Sequence, residues 1–120
     1  MQDDDRRSRP RLSISLDAVW DRTGEPQPAR ITNLSEGGCF LDTVGEVKQG
    51  EIVGFRILMP GAAEDWLYLE GEVRHHIEGI GFGVQFVELN DEQEEKVNAL
   101  IRIAKESGPG ARLSADLVEE

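Results

Sequence analysis

The stretch Leu12–Asp21, LSISLDAVWD, alternates without a break. Leu12, Ile14, Leu16, Ala18 and Trp20 fall on one face of an extended chain, with Ser13, Ser15 and Asp17 on the other. A period of two cannot form a helical stripe; it calls for a sheet with one dry face. Thr23-Gly24-Glu25-Pro26 reads as a turn, so this strand is expected to pair with Ala29–Leu34. Further strands are expected at Cys39–Thr43, Ile52–Met59, Trp66–His76 and Gly81–Glu88. Lys48-Gln49-Gly50, Pro60-Gly61 and Glu78-Gly79 punctuate them.

At Asn90 the period changes. Asn90 is a good N-cap, and Gln93 stands three residues on, as a capping box requires. Asp91, Glu92, Glu94 and Glu95 complement the positive end of the helix dipole. Val97, Leu100, Ile101 and Ala104 form one apolar stripe at helical spacing, and Ser107-Gly108-Pro109-Gly110 stops the helix near Lys105. An open α+β sheet and a closed barrel share this pattern of six strands and one helix. We expect the mainly β alternative, a small six-stranded antiparallel barrel with a C-terminal α-helix, because closure removes exposed strand edges. The expected boundaries are a flexible N-terminal arm over residues 1–11, barrel plus helix over 12–106, and a tail over 107–120. The tail is expected to be flexible or to form one loose helical turn.

Size and charge limit the function. A chain of 120 residues has room for one compact core. No apolar run approaches the roughly 18 residues of a membrane span, and MQDDDRR has no apolar signal region, so the expected location is cytoplasmic, without membrane insertion. Cys39 is the single cysteine, which rules out an intrachain disulfide and agrees with a reducing compartment. With 13 Lys+Arg against 24 Asp+Glu the net charge is −11, a poor start for binding DNA or RNA. Yet Arg6, Arg7, Arg9 and Arg11 crowd into RRSRPR just before the first strand. Positive charge focused in this way suits a small anion better than a long polyanion.

The second feature is Asn33-Leu34-Ser35-Glu36-Gly37-Gly38, a polar turn between two apolar runs. RRSRPR followed by NLSEGG resembles the PilZ domain, a family of bacterial receptors for cyclic di-GMP. Arg7 and Arg11 match the family's R-x-x-x-R signature, and Asn33, Ser35 and Gly38 match [D/N]-x-S-x-x-G. The likeness runs from about Arg6 to Lys105 and includes the strand order, the GFGVQF strand and the closing helix. It implies cyclic di-GMP as ligand, no cofactor, and a barrel with the arginine arm closing over the bound molecule. The chemistry agrees. An arginine fork matches the O6 and N7 acceptors of guanine, stacks on a base or bridges to a phosphate oxygen. Asn33 would offer an acceptor to guanine's N1 and N2 donors, Ser35 a hydroxyl to base or phosphate, and Gly38 a close backbone approach. Arg6, directly before the first motif arginine, goes in this family with binding two intercalated ligand molecules. Many relatives carry a tryptophan near the end of the fifth strand; here His75 stands in its place and would stack on guanine instead.

Other residues have plainer readings. RRSRPR alone would be a solvated arm, and NLSEGG alone a hairpin turn; their joint presence carries the assignment. Arg9 is expected to face solvent. His75 and His76 are adjacent on a strand and point to opposite faces, so they cannot readily chelate one metal ion. Cys39 is expected to be a small buried apolar residue. Gly79-Ile80-Gly81-Phe82-Gly83 lacks the following helix that a phosphate-binding loop needs. Trp20 and Trp66 read as core or rim aromatics. No Cys/His or Ser/His pairing suggests a hydrolase, so the expectation is a non-enzymatic receptor that signals to a protein effector. The alternative is a PilZ-fold interaction module that acts independently of the nucleotide.

Overall fold

A computed structural model describes residues 12–22, 24–61, 65–108 and 111–113. Arg6, Arg7, Arg9 and Arg11, and with them the N-terminal arm, lie outside the described residues. The elements are β1 (Leu12–Arg22), β2 (Glu25–Leu34), β3 (Gly38–Asp42), β4 (Ile52–Leu58), β5 (Trp66–Ile77), β6 (Gly81–Phe86), α1 (Asp91–Ser107) and β7 (Ala111–Leu113). The strands run in the order β2-β3-β6-β5-β4-β1, and β1 pairs back onto β2. These six are antiparallel and close into a barrel. Closure leaves the alternating apolar residues only one place to go.

That place is the barrel interior. Ile14, Leu16, Ala18 and Trp20 of β1 are buried, as their alternation demands. Leu34, Cys39, Val84 and Val73 are successive register partners across β2, β3, β6 and β5, and all are buried. Trp20 meets Phe82 edge-on, with ring centroids 5.1 Å apart. Its Nε1 donates to Thr43 Oγ1 at 2.9 Å, which satisfies the one polar atom of the ring. Each large aliphatic or aromatic side chain in this interior stabilises the fold by about 1.5–3 kcal/mol. Trp66, by contrast, is a half-buried rim residue with Arg56 stacked 4.8 Å from its ring centroid.

β2 begins at Glu25, earlier than the sequence suggested, despite Pro26 and Pro28. Both prolines pair with β1 on one side, while β3 pairs with β2 only over Arg30–Leu34. Beyond that overlap β2 is an edge, where a missing N–H costs no ladder bond.

The helix has its expected capping box: Gln93 N donates to Asn90 Oδ1 and Asn90 N to Gln93 Oε1, each at 2.8 Å. Val97, Leu100 and Ala104 are buried against the barrel. Gln93 Nε2 also donates to the Tyr68 carbonyl at 2.7 Å, and Lys96 Nζ pairs with Asp65 Oδ1 at 2.9 Å. Of the tail beyond Gly108, for which a flexible segment or one loose helical turn was expected, only residues 111–113 are described. Ala111–Leu113 forms a short strand parallel to β1, against Ile14–Leu16. β4 occupies that edge of β1 only at Ala18–Trp20, so the earlier stretch is free to take a second partner. No helix among the described residues is long and apolar enough to cross a membrane.

Candidate functional site

Asn33 stands next to last in β2, two residues before Ser35. Its register partners are Ser13 on β1 and Phe40 on β3. Phe40 in turn pairs with Gly83 on β6, and Gly83 with His75 on β5. Ser13, Asn33, Phe40, Gly83 and His75 therefore form one cross-strand row over five strands. Ser13 and His75 are exposed, and Asn33 and Phe40 are half-buried, so the row lies on the outside of the barrel. With strands about 4.8 Å apart, Asn33 and His75 are separated by roughly 14 Å along the sheet.

Three register shifts abut this row. One falls on β1 between Ser13 and Leu16, one on β2 between Ile31 and Asn33, and one on β5 between Val73 and His75. Each bulge inserts a residue and re-aims its neighbours. In β2 it lets Ile31 and Leu34 both face the core while Thr32 and Asn33 remain half-exposed. In β5 it turns both Arg74 and His75 outward after the buried Val73, and His76 is half-buried. The two histidines are thus not equivalent in exposure. Among the described residues no group of His, Cys, Asp and Glu is placed to hold a metal ion.

The turn itself is closed from within. Ser35 is the buried polar residue among the described residues, 7% exposed. Its N–H donates to the Gly38 carbonyl at 2.9 Å, and its hydroxyl donates to the same oxygen at 3.4 Å. Gly37 N donates to Ser35 Oγ at 3.4 Å, and Phe86 N donates to Gly37 O at 2.8 Å. The hydroxyl thus organises the turn. Gly38 answers to β6: a Cβ there would lie 2.1 Å from the Val84 carbonyl oxygen. The close approach this glycine permits is to a neighbouring strand, which is not visible in the turn sequence alone.

Two residues at the row escaped the sequence reading. Phe40 lies beside His75, ring centroids 6.0 Å apart and inclined by 32°. Gly83 fits beneath the imidazole; a Cβ there would come within 2.7 Å of His75 Cε1. The signal in the sequence was faint, a glycine at an alternate position of GFGVQF, and only strand register reveals what it accommodates. Phe40, Gly83 and His75 together make an aromatic step beside Asn33. A groove of about 410 Å³ lies elsewhere, between β1, β4, β5 and the start of α1, lined by Gly54, Arg56, Tyr68 and Glu88 among others. None of the described motif residues lines it. The motif-bearing row is an open face, and its chemistry makes it the better candidate despite its shallowness.

The model of the PilZ domain matches residues 5–102, a span that includes both RRSRPR from Arg6 onward and NLSEGG. The chain belongs to the PilZ domain family. PilZ domains are a cyclic di-GMP-binding family of receptor and adaptor modules, which supports that general role for this member. Its barrel resembles the inhibitor of motility MotI/DgrA of Bacillus subtilis, with a TM-score of 0.70 at 19% identity. That match covers 84% of this chain but 52% of MotI/DgrA, so the chain spans about half of that protein's length. It also resembles the PilZ domain of CeSA from a cellulose-synthesizing bacterium, with a TM-score of 0.60 at 18% identity, covering 81% of this chain and 96% of that one. At these identities the likeness is one of fold. No curated protein sequence matches.

Proposed function

We propose that this PilZ domain is a cyclic di-GMP receptor whose arginine arm closes on ligand held at the outer row. One observation carries the reading. Leu12, which directly follows Arg11 in the chain, pairs with Leu34, and Ser13 pairs with Asn33. The point where the chain enters the barrel from the arginine motif is thus at the NLSEGG turn, within the same cross-strand row. Asn33 supplies an acceptor to guanine N1 and N2, and His75 with Phe40 supplies a stacking step. Arg7 and Arg11 supply forks for a guanine Hoogsteen edge and a phosphate. Ser35 and Gly38 act by holding the turn in shape. Arg6 adds a cation that supports two ligand molecules per chain.

Signalling then follows from the change in surface as the arm closes. A protein partner reads that change only if it binds the liganded and free forms with different affinity. Titration calorimetry with cyclic di-GMP tests the proposal. The expected result is micromolar or tighter binding with a ratio near two, reduced at least tenfold by Arg7→Ala and by Arg11→Ala. Arg6→Ala is expected to lower the ratio towards one. Absence of heat at high ligand concentration would overturn the reading, and partner capture indifferent to ligand would favour the nucleotide-independent module.

A further inference from the structure

The bulge in β5 delivers a cation to the same face. Val73 pairs with Val84 and His75 with Gly83, so Arg74 is the inserted residue. It is exposed, and its Nη1 donates to Gln85 Oε1 at 2.9 Å. Gln85 is exposed on β6 and is the register partner of Gly38, the last residue of NLSEGG. Gly38–Gln85–Arg74 is therefore a second line of contact across the outer face, next to the row of Asn33, Phe40, Gly83 and His75.

The choice of partner is informative. In a chain with 24 acidic residues, Arg74 is held by a neutral amide. Glu72, the register partner of Gln85 on β5, forms no ion pair with it, nor does any other described residue. A guanidinium has five N–H donors, and Gln85 engages one side of the fork. The remainder is oriented and makes no ion pair among the described residues. Holding one edge of a planar fork removes rotamer freedom that a ligand would otherwise have to freeze.

We propose that Arg74 is a further ligand-binding residue of this site, a barrel-borne guanidinium that contacts a phosphate or the Hoogsteen edge of a guanine. Gln85 is its positioning residue. This rests on the receptor reading and adds to it a cation that does not belong to the N-terminal arm. As a strand residue already hydrogen-bonded to Gln85, Arg74 is in place before the ligand arrives.

The test is calorimetric titration of the whole chain with cyclic di-GMP, for wild type, Arg74→Ala, Arg74→Lys and Gln85→Ala, each with its thermal midpoint. Arg74→Ala is expected to weaken binding about tenfold or more with an unchanged midpoint, because an exposed side chain with one neutral hydrogen bond contributes little to folding. Arg74→Lys is expected to recover part of the affinity, since charge returns without the fork. Gln85→Ala is expected to weaken binding severalfold, and less so when Arg74→Ala is already present, as coupled residues do. Wild-type affinity in Arg74→Ala would overturn the assignment while leaving the receptor reading intact. No binding by the wild-type chain would remove both. Equal losses in Arg74→Ala and Arg74→Lys accompanied by a fallen midpoint would show a structural role and also overturn it.

Discussion

The two sides of this barrel are built differently. From Ile52↔Glu72 to Leu58↔Trp66 the β4–β5 ladder runs without a register shift. Around Asn33 and His75, β1, β2 and β5 each carry one. A regular ladder presents alternate residues to core and solvent and does little else. A bulge gives up a regular pair to re-aim a side chain. The barrel places its irregularities where Asn33, Arg74 and His75 must face outward together, and leaves the β4–β5 wall to hold the fold. The difference teaches that the candidate site is a property of strand register as much as of motif.

The glycines of the two regions should respond in opposite ways. Gly38→Ala would drive a methyl into the Val84 carbonyl, a backbone atom that cannot rotate aside. The expected cost is about 1–3 kcal/mol, seen as a fall of roughly 5 °C or more in thermal midpoint together with loss of cyclic di-GMP binding. Gly54 of β4 has nothing within 4 Å of its would-be Cβ. Gly54→Ala is expected to be neutral or to raise stability by about 0.4–1 kcal/mol, with binding unchanged. Similar effects from both substitutions in thermal melts would end the contrast.

A finer cut separates site from scaffold within the bulged face. In Gly83→Ala the three atoms nearest the new methyl would all belong to the imidazole of His75, a side chain that can swing away. Stability should hardly change, while displacement of the ring weakens ligand binding a fewfold. A large loss of midpoint would mean that His75 is packed as structure and not poised as a platform.

The smallest effect belongs to the connection between β4 and β5. The hydrogen bond from Lys96 to Asp65 raises the lysine pKa above its usual value; desolvation opposes it, and the charges of Asp65 and then Glu92 add to the rise. A raised folded-state pKa means that this contribution is fully present below the unfolded lysine value and is lost as pH rises through the folded one. Asp65→Asn should therefore lower the midpoint slightly at neutral pH. The difference from wild type should disappear as pH climbs beyond the ordinary lysine range of about 10.4. Both partners are partly exposed, so solvent keeps the effect small. A gap that persists above that range would assign the role of Asp65 to something other than this pair.

Much of the architecture was legible because its signals are local. The alternation in LSISLDAVWD selects the buried face of β1, and Asn90 with Gln93 marks the start of the helix. The residues of NLSEGG were also legible, yet two of their structural contacts were not. Besides the ligand hydroxyl expected of it, Ser35 makes hydrogen bonds within the turn, to Gly37 and Gly38. Besides the close ligand approach expected of it, Gly38 is constrained by Val84, more than forty positions away in the chain. The strand at Ala111–Leu113 gave no periodic signal, since three residues cannot establish one; its pairing with β1 supplies the reason for its conformation.

By itself the sequence determined which residues are apolar at alternate positions, where the helix starts and which side chains carry motif chemistry. These depend on covalent order and on periods shorter than a strand. Only the tertiary structure decided that Phe40, Gly83 and His75 line up with Asn33, and that Arg74 leaves the ladder to join them. Register is set between strands distant in sequence, and a shift of one residue turns a side chain from the core to the solvent.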